Sequence, residues 1–178
     1  MRQLQHEDLI AEDAMRVLRV ATISMSDAVQ LYDFRIALEQ LSVAQACQNA
    51  TESQLKELEL MVEQAEKLVN SKPSQLTSFR LLDLDYRFHR QLAQSSGNPW
   101  LVSFLDQVFD KMQLLRIQTT KNNPNVLEIR TEHRRIYEPV RERNLQAAVQ
   151  AMKAHLVASK ERVIKEVQQL QENAEVAQ

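Results

Sequence analysis

The chain has 178 residues, a formal net charge of −2, 44% hydrophobic residues and 26% charged residues. That is enough chain for one domain with a sizeable core, and the balance excludes a disordered polypeptide and a global basic field for nucleic acid. One glycine, four prolines and the single Cys47 exclude an internal disulfide framework and a turn-rich fold; no apolar run approaches a membrane span, so an all-α protein of the cytoplasm is expected, with no membrane partner.

Residues 1–23 are the least regular. Leu4, Leu9 and Ile10 give a short amphipathic pattern, and Val17-Leu18-Arg19-Val20-Ala21-Thr22-Ile23 alternates as a short strand does. His6 lies here and is expected to be exposed. Ser24-Met25-Ser26-Asp27 then reads as a capping box, with Ser24 as N-cap and Asp27 three residues on. The helix it opens is expected to run to about Ala46, with Leu31, Phe34, Leu38, Leu41 and Ala44 on its apolar face. Arg35 lies beside that face. It reads either as an intrahelical partner of Glu39 at i+4 or as a guanidinium facing a cavity.

Thr51-Glu52-Ser53-Gln54 is a second capping box, followed by Leu55, Leu58, Met61, Ala65 and Leu68 at helical spacing up to Pro73. A third helix starts near Ser74, and Leu81, Leu82, Asp85, Phe88, His89 and Leu92 fall on one stripe. An acid and an imidazole four residues apart on an apolar stripe must be paired, hydrogen-bonded or bound to something. Gly97 stands where a left-handed helix end is wanted, and Asn98-Pro99 restarts the chain as N-cap and first helical residue.

The fourth helix is apolar through Trp100, Leu101, Phe104, Leu105, Val108, Phe109, Met112 and Leu115, with Arg116 on the same rows. After the Lys121-Asn122-Asn123-Pro124-Asn125 loop, Val126, Ile129, His133, Ile136, Tyr137 and Val140 mark a fifth helix with Pro139 inside it. Asn144 caps a sixth, whose stripe is Leu145, Ala148, Met152, His155, Ser159, Val163 and Val167. Residues 173–178 are expected to fray.

Three of the four histidines therefore sit on inward stripes of three helices. Singly, each reads as a core histidine bonded to a carbonyl, and Asp85 with His89 as an ion pair. Together, Asp85, His89, His133 and His155 form a donor set that suits zinc, nickel, cobalt, iron or manganese better than magnesium or calcium. A metal-dependent enzyme could use such a site to activate water. No general base stands out beside it, and a non-enzymatic role is expected.

The run Asp85-Tyr86-Arg87-Phe88-His89, then Ser96-Gly97-Asn98, Glu132-His133 and His155, resembles the FCD domain. This is the effector-binding domain of FadR-type regulators in the GntR family. Leu31-Tyr32-Asp33-Phe34-Arg35 with Leu38-Glu39 is similar to its opening helix, and the resemblance spans about residues 24–170. It implies an antiparallel bundle of about six main helices around a metal and effector cavity, over residues 24–172. It also implies a divalent transition metal, zinc foremost, on Asp85, His89, His133 and His155. A small carboxylate effector would be read by Arg35, Arg116 and Asn98, in a homodimer. Residues 1–23 resemble the end of the family's winged helix-turn-helix and its linker, with Asp8 where the family usually has glycine. DNA is then expected to be bound only through the rest of that domain, which this chain lacks. Pro139 replaces a small apolar residue of the family pattern.

Overall fold

The computed structural model describes residues 10–12, 18–20, 23–72, 74–122 and 132–176. They form a two-stranded hairpin and six helices. Strands β1 (Ile10–Glu12) and β2 (Leu18–Val20) pair antiparallel, with Ile10 opposite Val20 and Glu12 opposite Leu18. The strand expected within 17–23 is thus present as β2, and β1 satisfies one of its edges. The amphipathic pattern before Ile10, with His6, lies outside the described residues.

The helices are α1 (Met25–Asn49), α2 (Glu52–Val69), α3 (Gln75–Ser95), α4 (Pro99–Asn122), α5 (Glu132–Arg141) and α6 (Leu145–Val176). Their ends follow from local chemistry. Ser24 accepts from the Asp27 amide at 3.1 Å while Asp27 reaches back to the Ser24 amide, and Thr51 and Gln54 form the second reciprocal box. Ser74 caps α3 through the Thr77 amide. Gly97 has φ +72, the left-handed conformation that ends α3, and Asn98 accepts from the Leu101 amide to open α4. Asn144 caps α6 through Ala147. The fifth helix was expected from Val126; residues 123–131 lie outside the described residues, and α5 begins at Glu132. Helix α6 runs on to Val176, into the stretch expected to fray.

Arg143 is the one described non-glycine residue with positive φ, at 59°. Its guanidinium donates to the carbonyls of Cys47 and Ala50 at 3.2 and 2.7 Å. A cation therefore closes the negative end of α1 and satisfies acceptors that the helix leaves open.

Helix α1 packs most extensively on α6 and also touches α3, α4 and α5, while α2 lies against α3 and α5. Three apolar clusters fill the bundle; the smallest is Ala93, Leu101, Leu105 and Phe109, and the other two flank the bundle's centre. One joins Val43, Ala46, Leu55, Leu58, Phe88, Leu92, Ile136, Met152 and Leu156. The other joins Ala28, Tyr32, Met112, Leu115, Val163 and Val167. Along α1 the buried Arg35 and Glu39 separate these two clusters, and along α6 Ser159 does so, with His155 at the edge of the first. A buried polar band thus crosses the middle of the core.

That band corrects the expected face of α1. Phe34 and Leu41 are 49% and 46% exposed, while Tyr32, Arg35, Glu39 and Ser42 point inward. The helix is rotated by about one residue from its apolar stripe because a charged pair, not an aliphatic one, completes the centre. Trp100 and Phe104 of α4 are likewise exposed rather than core, and Leu101, Leu105 and Phe109 take the interior. Cys47 is buried and unpaired in a disulfide, and burial pushes its thiol up from the ordinary range. No helix among the described residues is long and apolar enough to cross a membrane.

Candidate metal centre

Helices α3, α5 and α6 deliver the four side chains. Asp85 and His89 are one helical turn apart on α3, His133 is the second residue of α5, and His155 lies on α6. All four are buried, and one ligating atom from each lies within 4.8 Å of the others. His133 Nε2 is 3.1 Å from Asp85 Oδ1, His89 Nε2 is 3.5 Å from the same oxygen, and His89 Nε2 is 3.2 Å from His155 Nε2. The imidazoles of His89 and His155 stack at 5.1 Å between centroids, and His133 stacks on Phe88 at 4.3 Å.

These separations suit an ion. Donors about 2.1 Å from a common metal stand roughly 3.0–3.4 Å apart at right or tetrahedral angles. Three neutral imidazoles and one carboxylate are also the borderline donors that transition ions prefer. The donor set therefore fits a divalent transition metal held by Asp85, His89, His133 and His155.

Around the tetrad lies a shell of ion pairs. Arg116 of α4 donates from Nη1 to Asp85 Oδ2. Arg35 and His89 Nδ1 both bond the Glu39 carboxylate, one on each oxygen. His155 Nδ1 lies 2.7 Å from Glu132 Oε2, and Arg162 reaches the same carboxylate from Nη2 at 3.2 Å. The three carboxylates Asp85, Glu39 and Glu132 each have an arginine.

Charge follows this wiring. Burial pushes the Glu39 carboxyl up, but Arg35 and His89 outweigh it and hold it down to about 2. Asp85 is held well below the carboxylate range in spite of burial, by Arg116 and then His89. Glu132, less buried, is brought to about 2 by its bonds to His155 and Arg162. Burial lowers His155 to about 4 and lowers His133, favouring their neutral, ligating forms. His89 moves the other way: burial opposes its charge, but Glu39 and Asp85 raise it above the ordinary histidine value.

All four residues proposed from sequence as metal ligands thus meet at one point. Arg35 takes the ordinary reading, an i,i+4 pair with Glu39, and its guanidinium also lies 5.5 Å from the Phe109 ring centre. Arg35 and Arg116 do share one small space with Asp85, Tyr86, Phe109, Met112 and Gln113, of about 10 Å³. That is room for about one water in this arrangement, not for an organic acid. Asn98 is not among its lining residues and serves as the α4 cap. Sequence reasoning gave no role at the site to Glu39 or Glu132. Glu39 had a signal, an acid at i+4 from an inward arginine. Glu132 adjoins His133 in the chain yet serves His155, which only packing reveals.

Comparison with known proteins agrees with this architecture. Residues 30–158 match the FCD domain family. The uncharacterized HTH-type transcriptional regulator YdhC of Bacillus subtilis (strain 168) is 32% identical over 155 residues, covering 87% of this chain and 68% of that protein. Among solved structures, E. coli McbR/YncC superposes with a TM-score of 0.75 at 14% identity, over 87% of this chain and 72% of that one. The metal-free FCD domain of TM0439 gives 0.66 at 19% identity, over 84% of this chain and 99% of that domain. Streptococcus agalactiae GntR gives 0.59 at 24% identity, over 90% and 78%.

Proposed function

Because this chain belongs to the FCD-domain family of GntR-type transcriptional regulators, we propose that it is the metal-dependent, effector-sensing part of such a regulator. The observation that supports this best is the convergence of Asp85, His89, His133 and His155 within 4.8 Å in a buried band. Zinc is the ion we assign, held by those four residues. It would supply a fixed positive charge and, when five- or six-coordinate, positions for an anionic ligand.

The chain's own residues point the same way. Each of the three buried or half-buried carboxylates around the centre is paired with an arginine, His133 and His155 are held neutral, and His89 would give up its proton to ligate. The divalent charge is therefore left for a ligand from outside, and a small organic acid is the class that fits. Arg35 and Arg116 would read its carboxylates. Since the space between them takes about one water, admitting an acid would part Arg116 from Asp85 or Arg35 from Glu39. Either change moves α4 or α1 against α3, and a homodimer would transmit that movement to the spacing of its DNA-reading heads. The hairpin β1–β2 would be the wing of that head, residues 1–23 its end and linker, and residues 24–172 the sensing domain. Such a regulator works beside DNA, in the cytoplasm.

The test is metal content by mass spectrometry after purification and after reloading, with Asp85→Ala and His133→Ala in parallel. One equivalent in the parent chain and loss in both variants is expected; unchanged metal in both would sink the assignment. Calorimetric titration with small carboxylates, with and without zinc, tests the effector class, and binding indifferent to zinc would count against it. Membership of a regulator family does not favour the enzymatic alternative, and no observation at the site favours it either.

A further inference from the structure

Two residues outside the tetrad decide which way its imidazoles face, an inference that rests on the metal reading above. His89 and His155 meet Nε2 to Nε2 at 3.2 Å, while both Nδ1 atoms face carboxylates, Glu39 and Glu132. An ionised carboxylate can only accept, so each Nδ1 carries hydrogen. In a neutral imidazole that leaves a lone pair on Nε2. Two lone pairs then face one another, and Asp85 Oδ1, a third acceptor, lies 3.5 Å from His89 Nε2 and 3.1 Å from His133 Nε2. Acceptors aimed at one buried spot repel unless a proton on one of them or a metal ion lies among them, and an ion that binds takes the proton's place.

We propose that Glu39 and Glu132 are positioning residues for the metal. Each fixes one imidazole as its Nδ1–H tautomer and turns its Nε2 lone pair inward. Neither touches the ion; each acts through a histidine, making it a stronger donor as well as orienting it. The carboxylates are themselves held. Arg35, one turn earlier on α1, bonds the second oxygen of Glu39, and Arg162 of α6 reaches both oxygens of Glu132 at 3.2 and 3.4 Å. The two chains arginine–carboxylate–imidazole approach from α1 and from α5 and α6. His133 is held in another way, by its stacking on Phe88. The clamps also differ in setting: Glu39 is 1% exposed, whereas the Glu132 side chain is 22% exposed at the first residue of α5.

The experiment compares Glu39→Gln and Glu132→Gln with the parent chain. Glutamine keeps the size but loses the charge, and its amide can turn to select the opposite tautomer. Zinc affinity is measured by chelator competition, and the ligand field by the visible absorption of the cobalt-loaded protein. A loss of about 10–100-fold in affinity and a shifted cobalt spectrum are expected for each variant. A merely structural role would lower the melting temperature and leave both readouts alone. Both variants binding zinc within about twofold of the parent, with the parent's cobalt spectrum, would overturn the proposal. If Glu39→Gln does not fold, Glu132→Gln decides alone, since its partly exposed position tolerates the change. Failure of the parent chain itself to take up zinc or cobalt would instead remove the metal reading, and this inference with it.

Discussion

Leu92 and His89 stand three residues apart on α3, at 0% and 1% exposure, and are buried for opposite reasons. Leu92 belongs to the apolar cluster with Leu58, Phe88 and Met152, where each side chain gains by leaving water. His89 belongs to the polar band, where Asp85, Glu39, Arg35 and Arg116 lose hydration and pair instead with charged and polar neighbours. The difference teaches that depth in this bundle has two meanings. The cluster's burial stabilises the fold, and the band's burial is offset by the ion pairs within it.

The change expected to break this contrast most severely is Asp85→Ala. It removes one of the four clustered side chains and the carboxylate that Arg116 pairs with, so the chain should lose zinc and about 3–5 kcal/mol of stability in urea. A variant as stable as the parent would mean that the band is not electrostatically closed. Leu92→Ala is the converse. It should cost about 2–5 kcal/mol by opening a cavity while zinc affinity, measured on the folded fraction, stays near the parent value. Zinc binding that collapsed with the cavity would show that the two regions are one mechanical unit.

Zinc itself should stabilise the parent chain by about 2.7 kcal/mol at a free concentration one hundred times the dissociation constant, read as a rise in melting temperature. The same addition should leave Asp85→Ala unmoved. Proton competition is smaller and has a definite sign. His89 is raised above its ordinary value by Glu39 and Asp85, against burial, and must lose its proton to ligate. Zinc affinity should therefore level off above that raised value and fall by about tenfold per pH unit below it. His133 and His155 are lowered and stay neutral over the same window. Affinity that rose as pH fell would contradict a His89 ligand. The smallest effect is expected away from both regions: Gly97→Ala should cost about 1 kcal/mol, because φ +72 strains an L-residue while the added methyl meets only Asn49, at 3.8 Å. Its zinc affinity should match the parent's.

The sequence by itself determined the helices and most of their ends. Capping boxes at Ser24 and Thr51, the left-handed Gly97 and the caps at Asn98 and Asn144 are contacts within a few residues, and spacing alone specifies them. It also determined that one acid and three histidines face inward, since a core stripe leaves them no other side. Tertiary packing decided the rest. Periodicity put Phe34 and Leu41 inside, yet α1 turns Arg35 and Glu39 inward because Glu39 meets His89, fifty residues away in the chain. Glu132 adjoins His133 in sequence and bonds His155, 23 residues on. A helix fixes which of its own residues share a face. Which imidazole that face's carboxylate will find is set by how six helices pack, and no spacing within one of them carries that information.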